Sequence, residues 1–145
     1  MDKDYKKLTS KLATAFQYRF QCELISNAPK GSCLKHRFFF PIRQSLTLSF
    51  LSEVAKIFDN SKSQPNLSIY NFLGTSYPWR TKHQQTISHL KKFRDKYLMH
   101  NDLKESQDFN KFLGSIQLKP DDVMSLLAEA FKQMEKLATT NKKLD

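Results

Sequence analysis

Three glycines in 145 residues, Gly31, Gly74 and Gly114, leave this chain little of the backbone freedom that tight hairpins and phosphate-cradling loops draw on. Strand-like alternation is missing as well, whereas apolar residues recur at spacings of three and four. The chain therefore reads as all-α. Its 39% apolar and 26% charged residues, with twelve Phe, place it among globular rather than disordered sequences. The length fits one domain spanning 1–145.

Tyr5, Leu8, Leu12, Phe16 and Phe20 mark a first helix, stopped by Asn27-Ala28-Pro29-Lys30-Gly31. Pro41 suits the first turn of a second helix, expected to be central, with the stripe Ile42, Leu46, Phe50, Val54, Ile57 and Phe58. That helix ends at Asp59-Asn60-Ser61, before a polar loop and a short turn over 69–73 closed by Gly74. A third helix is predicted to start after Pro78, near Thr81, and to run through Ile87, Leu90, Phe93, Tyr97 and Leu98 to about His100-Asn101-Asp102. A short helical piece around Phe109, Phe112 and Leu113 precedes Pro120-Asp121-Asp122, where proline and two acids suit a helix start. Val123, Leu126, Leu127, Ala130, Phe131, Met134 and Leu137 follow as the cleanest apolar stripe in the chain. The expected architecture is an up-and-down bundle of four main helices with short additional helices.

Lys and Arg number 24 against 14 Asp and Glu, a net +10, which suits a polyanionic partner or simply good solubility. Residues 1–40 hold eight basic and three acidic side chains, half of the excess, while residues 119–145 are neutral. Cys22 and Cys33 are too few for a disulfide scaffold and, with His36, make an incomplete zinc set, so free thiols are expected. The charged start Met1-Asp2-Lys3-Asp4-Tyr5-Lys6-Lys7 is unlike a secretory leader, and no apolar run reaches the roughly 18 residues of a membrane span. A cytoplasmic protein without a membrane partner is the expectation.

Nucleotide-binding glycine loops, HExxH, the nucleophile elbow and paired CxxC are all missing from the sequence. One segment stands out, Lys91-Lys92-Phe93-Arg94-Asp95-Lys96-Tyr97-Leu98-Met99-His100-Asn101-Asp102. With Ile87 at the origin of an α-helix, Leu90 and Tyr97 fall at about 300° and 280°, and Arg94 at about 340°. Arg94 thus points to the packed face, where a guanidinium needs a carboxylate, a helix C-terminus or an anionic ligand. His100 lies about 120° away and about 9 Å along a straight helix, so the two share one site only if the helix ends or a second subunit completes it. A buried ion pair and a helix-end histidine are the structural alternative. His83 and His89 read as solvated surface residues, and Trp79 and Tyr97 as core aromatics rather than base-stacking ones.

Arg94, five intervening residues and His100 resemble the R-x(4–6)-H motif of the HEPN ribonuclease superfamily, with the polar Asp95 after the arginine as is usual there. The run from Arg94 to Asp102 looks like the signature of its abortive-infection type U branch, with Met99 where a small residue is common. Ala55-Lys56-Ile57-Phe58-Asp59, the short 68–73 helix and the final helix are similar to that branch too, so the likeness covers about residues 40–138.

The resemblance implies a HEPN-like bundle and a metal-independent, cofactor-free endoribonuclease acting on single-stranded RNA in phage defence or as a toxin. The 2′-OH attacks the adjacent phosphate, leaving a 2′,3′-cyclic phosphate and a 5′-OH. His100 would move the proton and Arg94 would stabilise the pentacoordinate phosphate. Asp95 and Asn101 would support them, and Lys91, Lys92 and Lys96 would contact RNA. A homodimer would bring two motifs into one composite site, and a toxin would have an antitoxin protein as a further partner. The alternative from another class is a non-catalytic HEPN-like module binding nucleic acid or a partner protein.

Overall fold

A computed structural model describes residues 2–60, 68–73, 78–98 and 109–142. These are helical with short connections, and no strand occurs among them. Four long helices carry the fold: α1 (Asp2–Ser26), α2 (Phe39–Ile57), α5 (Gln84–Phe93) and α7 (Pro120–Lys142). Shorter ones lie between them: α3 (Tyr70–Leu73), α4 (Pro78–Lys82) and α6 (Phe109–Ser115). A 3₁₀ turn at Cys33–Lys35 links α1 to α2, and a π turn at Arg94–Leu98 extends α5. The chain is thus an all-α bundle, as its glycine scarcity and periodicity predict.

Helix α2 is central, packing along α1 and touching α5, the π turn and α7. Its Phe50, Leu51, Val54, Ala55 and Ile57 are buried, and they meet Leu8, Leu12 and Ala15 of α1. Leu90 and Phe93 of α5 and Val123, Leu126, Leu127, Ala130 and Met134 of α7 close the same core. Phe58, Tyr70 and Trp79 form an aromatic corner, the last two stacked at 6.4 Å and 4°. Trp79 is therefore a core residue, as read from the sequence.

The stripes overreach at their ends. Phe20 is 61% exposed, and Ile42 and Phe131 are also exposed, because the helices extend beyond the stretches where neighbours cover them. Phe131 still meets Phe16 edge-on at 6.4 Å. Cys22 takes a buried place instead, its Sγ 3.2 Å from Thr47 Oγ1, while Cys33 is exposed and both thiols are free. Asp121, in the first turn of α7, also pairs with Arg19 of α1 at 3.1 Å, tying the first and last helices together. No helix among the described residues is long and apolar enough to cross a membrane.

The third helix departs most from expectation. It starts at Pro78 rather than near Thr81 and bends at His83. The hydrogen-bond ladder continues across the bend, from His83 N–H to the Trp79 carbonyl and from Ile87 N–H to that of His83. α4 and α5 thus act as one bent rod until Arg94, where the α-helical spacing gives way.

Core and surface phenylalanines should separate sharply under mutation. Phe50→Ala should lower unfolding free energy by about 3–5 kcal/mol in denaturant titrations, whereas Phe20→Ser should stay within about 0.5 kcal/mol of the parent.

Candidate functional site

Arg94 opens the π turn, its N–H shared between the carbonyls of Leu90 and Lys91. Turns with i→i+5 bonding carry an extra residue, and they concentrate at functional sites. From Arg94 to Leu98 the regular α-helical spacing no longer applies. Directly before it, Phe93 is wholly buried, so the backbone on which Arg94 stands is anchored in the core.

The guanidinium meets two carboxylates. Nη1 donates to Oδ1 of Asp59, just past the end of α2. Nε and Nη2 both donate to Oδ1 of Asp95, at 2.9 and 2.7 Å. The Arg94 side chain is 20% exposed and that of Asp59 only 6%. Burial works against the Arg94 charge, but the bonds from Asp95 and the charge of Asp59 outweigh it and hold its pKa above the ordinary arginine value. The arginine is fixed and permanently charged. Of its five N–H donors these bonds occupy three, which leaves two, the number a phosphate accepts from a guanidinium fork.

Arg94 lies at one end of a cleft of about 570 Å³ between the end of α2, Tyr70 and the α4–α5 rod. The rod contributes Arg80, Gln84, Ile87, Ser88, Lys91 and Arg94, spaced three and four apart along one face. Phe58, Ala55 and Leu90 give the cleft an apolar floor. Arg80 lies over the Tyr70 ring at 5.3 Å. Burial pushes the Tyr70 phenol up, and the neighbouring Arg80 charge offsets part of that. The volume is in the range of small-ligand sites, and the lining is cationic with one carboxylate, Asp59.

Of the residues singled out in the sequence, the structure brings Arg94, Asp95 and Lys91 together. Lys92 and Lys96 are exposed and do not line this cleft. His100 and Asn101 lie outside the described residues. Arg80 joins the site as one of the six basic residues that the sequence gathers between positions 80 and 96, and Asp59 joins it without having been singled out as a site residue. Arg80 was legible in principle, since 80, 84, 87, 91 and 94 trace one helical face; Asp59 reaches Arg94 only through the tertiary packing of α2 against α5.

His83 corrects the surface reading. Half-buried at the bend, its Nε2 is enclosed without a hydrogen-bond partner. Desolvation lowers its pKa, Lys82 lowers it further, and Glu129 and Asp122 of α7 oppose both. His89 is also half-buried and lines a separate depression with Gln117 and Asp122. Family models, curated proteins and solved structures give no match to this chain.

Removing Asp59 leaves the partly buried Arg94 with one partner. Asp59→Ala should therefore cost about 1–3 kcal/mol of stability, against less than about 1 kcal/mol for Asp95→Ala, whose carboxylate is nearly half exposed. For His83 the folded state binds its proton less readily than the unfolded chain. Its contribution is thus intact above the unfolded value, near 6.5, and is lost as pH falls from there towards the lowered folded value. His83→Gln should flatten the decline in melting temperature between neutral and mildly acidic pH. An unchanged slope would show that other groups set it.

Proposed function

We propose that this protein is a metal-independent endoribonuclease of the HEPN type, active on single-stranded RNA in a toxin or phage-defence role. The observation that carries the reading is Arg94, held by two carboxylates with two N–H donors in reserve, at the end of a cleft that also holds Lys91 and Arg80. A rigid cation lining a cleft suits charge that grows on a phosphate, because no reorganisation is needed as the reaction proceeds.

In the proposed reaction the 2′-oxygen bonds to the adjacent phosphorus while the bond from phosphorus to the 5′-oxygen breaks. His100 carries the proton between the attacking and leaving oxygens, and Arg94 binds the non-bridging oxygens of the pentacoordinate phosphate. Asp95 keeps the guanidinium in plane, Asn101 orients the histidine, and Lys91, Lys92 and Lys96 hold flanking RNA. Two chains supply the two motifs of a composite site, and an antitoxin would act by covering it.

The doubly compensated charge of Arg94 favours a second reading in one respect. A guanidinium already facing two carboxylates can serve folding alone, which leaves a non-catalytic helical module that binds nucleic acid or a protein.

Cleavage of unstructured RNA in EDTA separates the two. The protein should give 2′,3′-cyclic phosphate and 5′-OH ends, and His100→Ala should lower the rate by about 10²–10⁴. Arg94→Lys preserves a cation beside Asp59 but lacks the fork, and should lose about 10²–10³ while remaining folded. Wild-type rates in both variants would refute the assignment. Salt-sensitive binding without product would favour the module.

A further inference from the structure

We propose that the corner joining α1 to α2 docks peripherally on an anionic lipid surface. Phe38, Phe40 and Ile42 enter the boundary between headgroups and acyl chains, and Lys30, Arg37 and Arg43 lie among the lipid phosphates. This goes beyond the reaction proposed at Arg94 and does not depend on it.

Six large apolar side chains are exposed among the described residues, and five of them, Phe20, Leu24, Phe38, Phe40 and Ile42, fall within positions 20–42. They belong to the last turns of α1 and the start of α2, which meet at one corner of the molecule. Lys35 of the connecting 3₁₀ turn donates to the Ser26 carbonyl at the end of α1, and Cys22 of α1 lies against Thr47 of α2. Phe38, the most exposed of the five at 67%, opens the run Phe38-Phe39-Phe40-Pro41-Ile42. Apolar surface gathered in this way marks an interaction site rather than scattered exposure.

The charge around this surface has one sign. No Asp or Glu occurs from position 24 to 52, a stretch that holds Lys30, Lys35, Arg37 and Arg43. Lys30 and Arg37 are exposed. The Arg43 guanidinium lies over the Phe40 ring at 5.6 Å, so cation and ring sit together. Arg43 also borders a hollow of about 320 Å³ with Lys119, and no carboxylate among the described residues lines it. Glu23, which precedes the stretch, and Asp121, next to Lys119 and Pro120 in the chain, both pair with Arg19.

An anionic bilayer satisfies both features at once. Its acyl boundary takes up protruding apolar side chains, and its phosphates meet Lys and Arg at headgroup level. A second copy of this chain would bring like charges face to face. A nucleic acid would stack bases on Phe38 and Phe40 but leave the aliphatic Leu24 and Ile42 in water. A protein of fixed shape is better received by a groove, whereas none of the five apolar side chains lines the clefts beside Arg94, Cys22 or His89. Protruding tips suit a fluid surface that conforms to them. Docking in the headgroup layer needs neither a leader nor a spanning helix, so it departs from the expectation of no membrane partner without conflicting with the helices described.

Vesicle co-sedimentation tests this. Full-length protein is mixed with vesicles of phosphatidylcholine alone, or of phosphatidylcholine and phosphatidylglycerol in equal parts. It should pellet with the anionic vesicles, stay in solution with the neutral ones, and be released as salt rises. Phe38→Ser combined with Phe40→Ser should weaken binding about tenfold or more, and Arg37→Gln about fivefold. Lys132→Gln, on α7, serves as the surface-charge control and should track the parent. Phe38→Trp keeps the test decisive if the serine pair does not fold: its emission should shift to the blue with anionic vesicles and be quenched by brominated acyl chains. A parent that stays in solution with both vesicle types, an unshifted Phe38→Trp emission, or a folded serine pair that binds as the parent does would each overturn the inference. So would a parent that ignores vesicles yet forms a dimer that the serine pair abolishes, which would assign the patch to a second copy. RNA binding lost in the serine pair without vesicle binding by the parent would overturn it in favour of nucleic acid. Each of these outcomes leaves the Arg94 reaction to its own test, cleavage in EDTA.

Discussion

The pairing of Arg94 with Asp59 joins the two parts of the molecule on which the candidate site is built. Asp59 sits where α2 ends, and the C-terminus of α2 is the most deeply packed stretch of the central helix, with Val54, Ala55, Ile57 and Phe58 all buried. Arg94 sits where α5 changes to the π turn, directly after the wholly buried Phe93. Two enclosed backbones therefore meet through one ion pair. Such a pair adds little net stability by itself, since both charges lose water, but it is costly to leave half made. Its consequence is geometric. The cleft opens between the elements that the pair joins, so its width at that end is fixed by the same contact that aims the arginine.

The α-helical register holds up to Arg94, whose N–H still bonds the Leu90 carbonyl, so the residue stays towards the packed side of α5. There its guanidinium lies between buried Asp59 and half-exposed Asp95, with a fifth of the side chain exposed. Those two carboxylates permit a charge at the edge of a core of aliphatic and aromatic side chains.

This division explains what was legible in the sequence. Periodicity located α1, α2 and α7 closely, because long stripes such as Val123 to Leu137 report a buried face residue by residue. The wheel placed Arg94 towards the packed side and required a carboxylate, which is what it has. The identity of that carboxylate was not available, since Asp59 is 35 positions away and becomes a neighbour only when α2 packs on α5. Phe20 and Ile42 were misjudged for a related reason. Period alone cannot say where along a helix its neighbours stop. Local signals likewise missed the bend at His83 and the π turn, since neither carries a proline or glycine to mark it. His100 and Asn101 were read from the motif spacing and lie outside the described residues.

The net charge of +10 gains meaning from where these elements lie. Residues 80–96 carry six basic side chains against Asp95, and three of those six line the cleft. A second share sits at the start of α1, where Lys3, Lys6 and Lys7 are exposed. That end of α1 is not remote from the cleft: Tyr5 packs edge-on against Phe72 of α3 at 6.3 Å, and α3 also supplies Tyr70 to the cleft wall. The exposed lysines of α1 and the cations of the rod thus flank the same short helix, and their fields add on that side. The acids at the start of α7 are placed otherwise. Asp121 is held by Arg19, and Asp122 faces the depression beside His89, so neither opposes the cations of the cleft directly. Positive charge gathered in this way raises the rate of encounter with a polyanion without specifying sequence, because a screened field reads charge and not bases.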